Sequence, residues 1–404
     1  MSAWLTILGV GDDGVEGLSP PARALFDGAQ IVVGWPRILK STDLSGKETC
    51  TWTSPIENML EQIREWKDRG VVVLSTGDPM NYGIGARLAA HVPADEMTVI
   101  PAPSAFSLAA ARLGWRLQDV ETISLHGRPV SLLQPFIQPG AKVLALTGGS
   151  ETVQEVAGIL KKRGFGGSML NILEHMGGEN ERLVTRTADA CEGETFADFN
   201  TLGLECIAGP DATLLPSVPG LPDEAFIHDG QLTKREVRAI TLAALGPTPH
   251  ALLWDVGAGC GSVAIEWMRA ARGARAIAFE QNEARVALIA ENAVALGAPE
   301  LEVVAGEAER ALEGQPAPSA VFLGGAVTSD AVFETCWSAM APGGRLVANA
   351  VTLEGEAALI ARHETHGGDL VRIDVSHVAN IGSRRALRPR MAVTQWRVTK
   401  ARAQ

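Results

Sequence analysis

Cysteine is sparse in this chain: Cys50, Cys191, Cys206, Cys260 and Cys336 are five in number, scattered, and form no CxxC pair. An odd, dispersed set supports neither a disulfide framework nor a cysteine zinc centre. Aromatic residues make up only 5%, with Tyr82 the single tyrosine, and the nine tryptophans are spread over both halves. That spread suits core packing better than a stacking platform. Positive charge is also short, since 35 Lys and Arg against 47 Asp and Glu leave a formal net charge of −12. Such a chain has no global attraction for nucleic acid or an anionic membrane, so any anionic ligand must meet a local basic patch. No apolar run reaches the roughly 18 residues of a membrane span. The opening Met1-Ser2-Ala3-Trp4 lacks the basic region of a signal peptide. The expectation is a cytoplasmic protein with no membrane, nucleic-acid or metal partner.

What is present is a chain of 404 residues, 46% apolar and 20% charged. That length exceeds what one core organises and predicts two domains of about 200 residues. Short β-branched runs alternate with Ala/Leu/Glu/Arg-rich stretches, the pattern of α/β architecture. Strands are expected over 4–10, 71–75, 122–125, 142–146, 169–173 and 202–208. Gly209-Pro210-Asp211, Pro216, Pro219, Gly220 and Pro222 follow, a stretch with neither helical nor strand period that reads as a linker. Beyond it, strands are expected over 252–256, 276–280, 301–304, 320–323, 345–350, 370–377 and 391–398. Helices separate the earlier ones, and a loop without a helix joins the last two into an antiparallel hairpin. The division is therefore 1–209, a linker over 210–224, and 225–404.

The sharpest motif is Leu253-Trp254-Asp255-Val256-Gly257-Ala258-Gly259-Cys260-Gly261-Ser262, a strand ending in a GxGxG loop that opens a helix. Such glycines let backbone approach a ligand, and the helix N-terminus offers free N–H groups there. Glu280, ending the next strand, suits a ribose, whose two hydroxyls a carboxylate can accept. A dinucleotide site shares this logic, but its fingerprint wants glycine where Ser262 stands. A turn that merely shapes the strand–helix junction is the plainer alternative. Upstream, Thr233 and Glu236 have the spacing of a capping box for the following helix.

With its seven-strand order and Asp-Val-Gly-Ala-Gly-Cys-Gly loop, this half resembles the class I methyltransferases. The lead-in Asp229-Gly230-Gln231-Leu232-Thr233-Lys234-Arg235-Glu236 closely resembles that of the decarboxylating precorrin methyltransferases. The likeness runs on through Gly306-Glu307-Ala308, Leu323-Gly324-Gly325-Ala326 and Asn349-Ala350-Val351-Thr352. It implies an S-adenosylmethionine site built from Thr233, Gly257, Ala258, Gly259, Cys260, Gly261, Glu280 and Ala308. Where the family reads Gly-Asp-Ala, Glu307 keeps the charge.

The first half carries Gly9-Val10-Gly11-Asp12-Asp13-Gly14, then Gly77-Asp78-Pro79-Met80-Asn81-Tyr82-Gly83, then Pro101-Ala102-Pro103-Ser104-Ala105. Singly these are turns and caps. In this order they resemble the tetrapyrrole, or class III, methyltransferases over about residues 3–208. The resemblance implies a second S-adenosylmethionine site around Gly77, Asp78, Tyr82, Ser104 and Ala105, with backbone near Leu146 and Thr147. Asp12-Asp13 replaces the family's Pro-containing turn, and Asp12 suits a role in orienting donor or substrate.

Gly382-Ser383-Arg384-Arg385-Ala386-Leu387-Arg388-Pro389-Arg390 places four arginines in seven residues of an otherwise acidic chain. Arginine forks suit carboxylates, so Arg384, Arg385, Arg388 and Arg390 are the substrate-binding candidates, with a solvated loop as the alternative. His377, at the end of the sixth strand, is the candidate for proton transfer, or else a satisfied structural histidine. His363-Glu364-Thr365-His366 has histidines three apart, not the four of a zincin helix. The fusion as a whole resembles the decarboxylating C5,15-methyltransferases of cobalamin biosynthesis. That implies one donor per domain, a tetrapyrrole substrate and a homo-oligomer. The first domain would methylate carbon 5; the second would remove the ring C acetate carboxyl and methylate carbon 15. A cobalt-bearing substrate, or an RNA methyltransferase with a partner-binding first module, is the remaining alternative.

Overall fold

The computed structural model describes residues 3–40, 42–53 and 55–401, so Met1 and Ser2 of the opening lie outside it. The chain splits into two compact units, Met1–Val130 with Phe136–Thr213, and Ser131–Pro135 with Leu214–Gln404. Both are mixed α/β. No helix among the described residues is long and apolar enough to cross a membrane.

The first unit has two sheets. Strands β1 (Leu5–Val10), β2 (Ile31–Gly34), β3 (Glu48–Thr51), β4 (Val71–Thr76) and β5 (Met97–Ile100) lie in the order β3-β2-β4-β1-β5, every neighbouring pair parallel. Burial on both faces explains why the β1 and β4 sequences are unbroken apolar runs. Leu5 and Ile7 pack with Val71 and Val73 on one side, Leu8 and Val10 with Val72 and Leu74 on the other. Strands β6 (Glu121–Ser124), β7 (Lys142–Leu146), β8 (Met169–Glu174), β9 (Arg182–Thr187) and β10 (Asn200–Glu205) form a second sheet, β6-β7-β10-β8-β9, in which only β6 and β7 run parallel. Four strands escape sequence reading. β2, β3 and β5 are only four residues long, and β9, Arg-Leu-Val-Thr-Arg-Thr at a sheet edge, has no buried residue to mark it.

The second unit has one large sheet. Strands β11 (Leu252–Val256), β12 (Arg275–Glu280), β13 (Glu302–Ala305), β14 (Ala320–Leu323) and β15 (Arg345–Ala350) are parallel. The remaining strands among the described residues are β16 (Asp369–Ile373), β17 (Ser376–Ile381), β18 (Arg384–Pro389) and β19 (Val393–Thr399). The sheet order is β13-β12-β11-β14-β15-β19-β16, with β19 antiparallel to both neighbours. Its core is split by the sheet, Leu253 and Phe322 facing one cluster, Trp254, Val256 and Trp396 the other.

Two local expectations change. The strand expected over 370–377 stops at Ile373, and β17 and β18 form a separate antiparallel ribbon between β16 and β19. The arginine run is thus mostly strand, not loop. The Gly382-Ser383 turn that closes the ribbon, with Gly382 at φ +60°, has the two-residue hairpin form that glycine permits. Nor does a capping box form: the helix Arg235–Leu245 starts on Lys234, which makes no side-chain cap. Instead Asp223 Oδ1 accepts the Arg235 N–H at 2.9 Å. Thr233 gives its carbonyl to Arg238, and Glu236 faces His377 at 3.7 Å.

The Pro/Gly segment after Gly209 is not a free tether over its second part, because Leu215 and Leu221 are buried in the second unit's core. Two buried arginines hold it. Arg269 donates to the Leu215 carbonyl at 2.8 Å. Arg238, fully buried, donates to Glu266 Oε1 at 2.6 Å, to Asp223 at 3.2 Å, to the Thr233 carbonyl at 2.5 Å and to the Leu221 carbonyl. Glu266 also accepts the N–H groups of Gly220 at 2.5 Å and Leu221 at 3.1 Å. Removing one partner of such a pair strands the other charge in the core. Arg238→Met should destabilise the second unit by about 3–5 kcal/mol, read as a shift of its urea transition; a loss below about 1 kcal/mol would show the pair to be dispensable.

Candidate functional site

The carboxyl ends of the parallel strands in the second unit surround a cavity of about 1120 Å³. This is the edge where open α/β sheets bind ligands, and its size is slightly above the roughly 300–1,000 Å³ range of small-molecule sites. Its floor is made by two glycine loops in backbone contact. Gly324 and Gly325 both donate to the Val256 carbonyl, at 3.0 and 3.1 Å. A Cβ on Gly257, at φ +74°, would lie 2.6 Å from Gly325 backbone. Only glycine fits there, for conformation and for space. The paired glycines at 324 and 325 were the available sequence signal for this second loop.

Of the residues singled out from sequence, Thr233, Gly257, Ala258, Gly259, Glu280 and Ala308 line the cavity. Cys260 and Gly261 do not: Cys260 is 2% exposed, and Gly261 is the N-cap of the helix Ser262–Ala270. Their contribution is to the loop's path. Burial pushes the Cys260 thiol up, which keeps it protonated and inert. Glu280 is nearly buried and accepts the N–H of Gly259 at 2.8 Å and of Asn282 at 3.0 Å. One lone pair on each oxygen is thereby used to hold the loop, leaving the other for a ligand.

Of the four arginines only Arg390 reaches the cavity; Arg384, Arg385 and Arg388 lie along β18. His377 is the second residue of β17, off the main sheet and outside the cavity lining, correcting its expected place at the end of the sixth strand. Its ring faces Glu236, which does line the cavity. His366 packs its ring against Trp337, centroids 4.6 Å apart, and Phe333 at 5.2 Å. No group of three or more His, Cys, Asp or Glu among the described residues is arranged to hold a metal.

Among the lining side chains to which sequence reading gave no role are Lys234, Arg285 and Asn349. Arg285 is committed to Asp229 at 2.8 Å, and it holds that carboxyl below its ordinary range. Asn349 is oriented from behind: its Nδ2 donates to Thr241 at 2.9 Å, and its Oδ1 accepts from the buried Gln395 at 2.9 Å. Lys234 and Asn349 stand in segments that carry the family resemblance, and Arg285 in none; that the three side chains line one cavity depends on segments far apart in sequence.

In the first unit the singled-out residues gather at the carboxyl ends of β1 and β4 and the start of the helix Ala105–Leu113. Three loops cross there with their backbones touching. Gly77 donates to the Val10 carbonyl at 2.8 Å, and a Cβ on Gly9 would lie 2.2 Å from the Gly77 oxygen. Asp78 accepts the Met80 N–H at 2.8 Å, and Ser104 caps the helix through the Ser107 N–H at 3.1 Å, with Ala105 its first residue. Tyr82 adopts φ +57° and sets its ring edge-on to Phe106, centroids 5.9 Å apart. A bulky residue with positive φ is uncommon enough to mark this loop. Asp12 does not stand free: it pairs with Arg37 at 2.5 Å and approaches His175 at 3.4 Å. Thr147 turns its hydroxyl to Asn200 at 2.8 Å.

Beneath the second unit's glycine loop, Asp255 is buried and accepts the Ala264 N–H at 3.0 Å through Oδ2, while Oδ1 has no partner. Burial, helped by the nearby Glu280 charge and opposed by that hydrogen bond, raises its pKa from 3.8 to about 7. A carboxyl raised in the folded state contributes its full stability below the unfolded pKa and loses it as pH rises through the folded one. Wild type should therefore lose stability relative to Asp255→Asn between about pH 4 and pH 7 and run parallel to it above. Urea midpoints of the second unit that run parallel throughout this interval would refute the shift.

Residues 224–400 match the family pattern described as the precorrin methyltransferase domain, and residues 5–191 match that of the tetrapyrrole (corrin/porphyrin) methylases. A relative from Sinorhizobium sp., precorrin-6Y C(5,15)-methyltransferase [decarboxylating], is 44% identical over 99% of this chain and 97% of its own length. One of the same name from Mycobacterium tuberculosis is 38% identical over 98% of this chain and its own full length. The solved C-terminal domain of precorrin-6Y C5,15-methyltransferase from Rhodobacter capsulatus is 44% identical, with a TM-score of 0.44, covering 46% of this chain and 100% of its own. With both family patterns in one chain and full-length relatives at this identity, the chain belongs to the precorrin-6Y C(5,15)-methyltransferase (decarboxylating) family of cobalamin biosynthesis.

Proposed function

We propose that the chain carries two separate S-adenosylmethionine centres, one in a class III domain over 1–209 and one in a class I domain over 225–404, joined by 210–224. The observation that carries this reading is the pair of sites just described. Each lies at the carboxyl ends of parallel strands, and each is built where glycine backbones approach more closely than any side chain allows. In the second, Thr233, Gly257, Ala258, Gly259, Glu280 and Ala308 contact the donor, with Cys260 and Gly261 shaping the loop. In the first, Gly77, Asp78, Tyr82, Ser104 and Ala105 do so.

The first domain methylates carbon 5 of the corrin precursor. The second removes the carboxyl group of the ring C acetate and methylates carbon 15. Bound S-adenosylmethionine supplies an electrophilic methyl group on a cationic sulfur. The chain's own part is to hold a macrocycle carbon in line with it at about 3–3.5 Å. Loss of carbon dioxide leaves an electron pair that the conjugated ring absorbs, so proton delivery to the product carbon is the remaining task. The Glu236–His377 pair performs it, Glu236 from the cavity wall and His377 from behind. Arg390 holds a substrate carboxylate inside the cavity, and Arg384, Arg385 and Arg388 steer the polyanionic substrate from the ribbon. The protein works in the cytoplasm as a homo-oligomer.

Calorimetric titration of the intact protein with S-adenosylhomocysteine should give two sites per chain, and one after Gly259→Arg. A single site that disappears in the variant would remove the first centre from this reading.

A further inference from the structure

Three basic side chains line the cavity of the second unit: Lys234, Arg285 and Arg390. Arg285 pairs through its Nε with Asp229. Lys234 and Arg390 arrive from different elements, the N-cap of the helix Arg235–Leu245 and the stretch after β18. Both converge on one atom, Asp223 Oδ2, each at 3.9 Å. That is ion-pair range and beyond hydrogen-bond reach. Asp223 cannot close the gap, because Oδ1 is anchored by the Arg235 N–H at 2.9 Å and by the buried Arg238 at 3.2 Å. Two cations are thus gathered beside a fixed carboxylate that attracts them without consuming their donors. One net positive charge and two sets of N–H groups are left for a ligand.

From this geometry we propose that Lys234 and Arg390 form a two-pronged receptor for one peripheral carboxylate of the substrate, with Asp223 as the positioning residue that gathers them. The inference rests on the reading of the second unit as the decarboxylating centre. The carboxylate held here is one the substrate keeps. A carboxylate gripped by two cations is stabilised as an anion, which opposes its departure as neutral carbon dioxide; such contacts supply binding, not rate acceleration. The cavity also has acidic lining, with Glu236, Glu307 and Glu309. The other lining cation, Arg285, already pairs with Asp229, so an acetate held away from Lys234 and Arg390 is less stabilised as an anion. The receptor therefore sets the register of the macrocycle, presenting the acetate away from Lys234 and Arg390.

The test uses the full-length enzyme, the precorrin substrate and saturating S-adenosylmethionine, with carbon dioxide release and methyl transfer followed together. Lys234→Met and Arg390→Met, which keep the apolar stems, should each raise KM about tenfold, with kcat for carbon dioxide release within about twofold. S-adenosylhomocysteine affinity should be unchanged, and Lys234→Arg should restore KM. A higher kcat in the Met variants would overturn the proposal by showing that the pair grips the departing carboxylate. So would unchanged KM in both, or a loss of S-adenosylhomocysteine affinity, which would assign the pair to the donor's own carboxylate. Wild-type enzyme that binds S-adenosylhomocysteine at this site yet releases no carbon dioxide would instead sink the underlying functional reading.

Discussion

The second unit's site depends on the Arg238–Glu266 ion pair, which is buried in the core rather than exposed in the cavity. Arg238 has no accessible surface and Glu266 almost none. Two charges taken so far from water persist only if every donor and acceptor is used. Satisfying them organises the chain: the N–H groups of Gly220 and Leu221, the carbonyls of Leu221 and Thr233, and the Asp223 carboxylate all turn toward this pair. The same bonds bring the lead-in segment across the mouth of the glycine loop. The segment that passes between the two halves of the chain is therefore part of the site's scaffold. The pair's value lies in directing chain path more than in net stability, which a buried ion pair rarely adds.

Both candidate sites use the same device on unrelated sheets. Backbone meets backbone at Gly9 with Gly77 in the first unit and at Gly257 with Gly325 in the second. A close-packed interior has no room for side chains at such crossings, so N–H groups are the surface that remains. Charge is then arranged around them. In the second unit one carboxylate, Glu280, fixes the loop by its inner lone pairs, while Asp255 behind it is pushed toward neutrality by burial. The second negative charge beneath the loop is thereby reduced toward neutral pH and removed below it.

A chain with net charge −12 that handles a carboxylate-rich substrate faces long-range repulsion, which ionic strength screens only in part. The arginines are concentrated where this matters. Arg390 lies inside the cavity, and three more stand on the ribbon that borders it in sequence. Asp223 keeps that positive charge local: it gathers Lys234 and Arg390 without removing their donors from use.

Sequence alone determined the α/β character, the glycine loop at 257–261 and the crossing loops at 9–14 and 77–83. These rest on local rules, in which strand period, φ > 0 at glycine and helix N-termini are written in a few consecutive residues. It also carried the family, because such motifs occur in a fixed order. Tertiary structure decided what depends on distant partners. Asp223 replaced the expected capping box because a side chain twelve residues away supplied a better acceptor. The arginine run became a ribbon because β19 took the place beside β15, leaving 376–389 to pair with itself. Lys234, Arg390 and Asn349 joined the cavity through contacts spanning up to 167 residues, Lys234 and Arg390 meeting only at Asp223. Local chemistry specifies which backbone is shaped to receive a ligand; only the packing of remote segments specifies which charges face it.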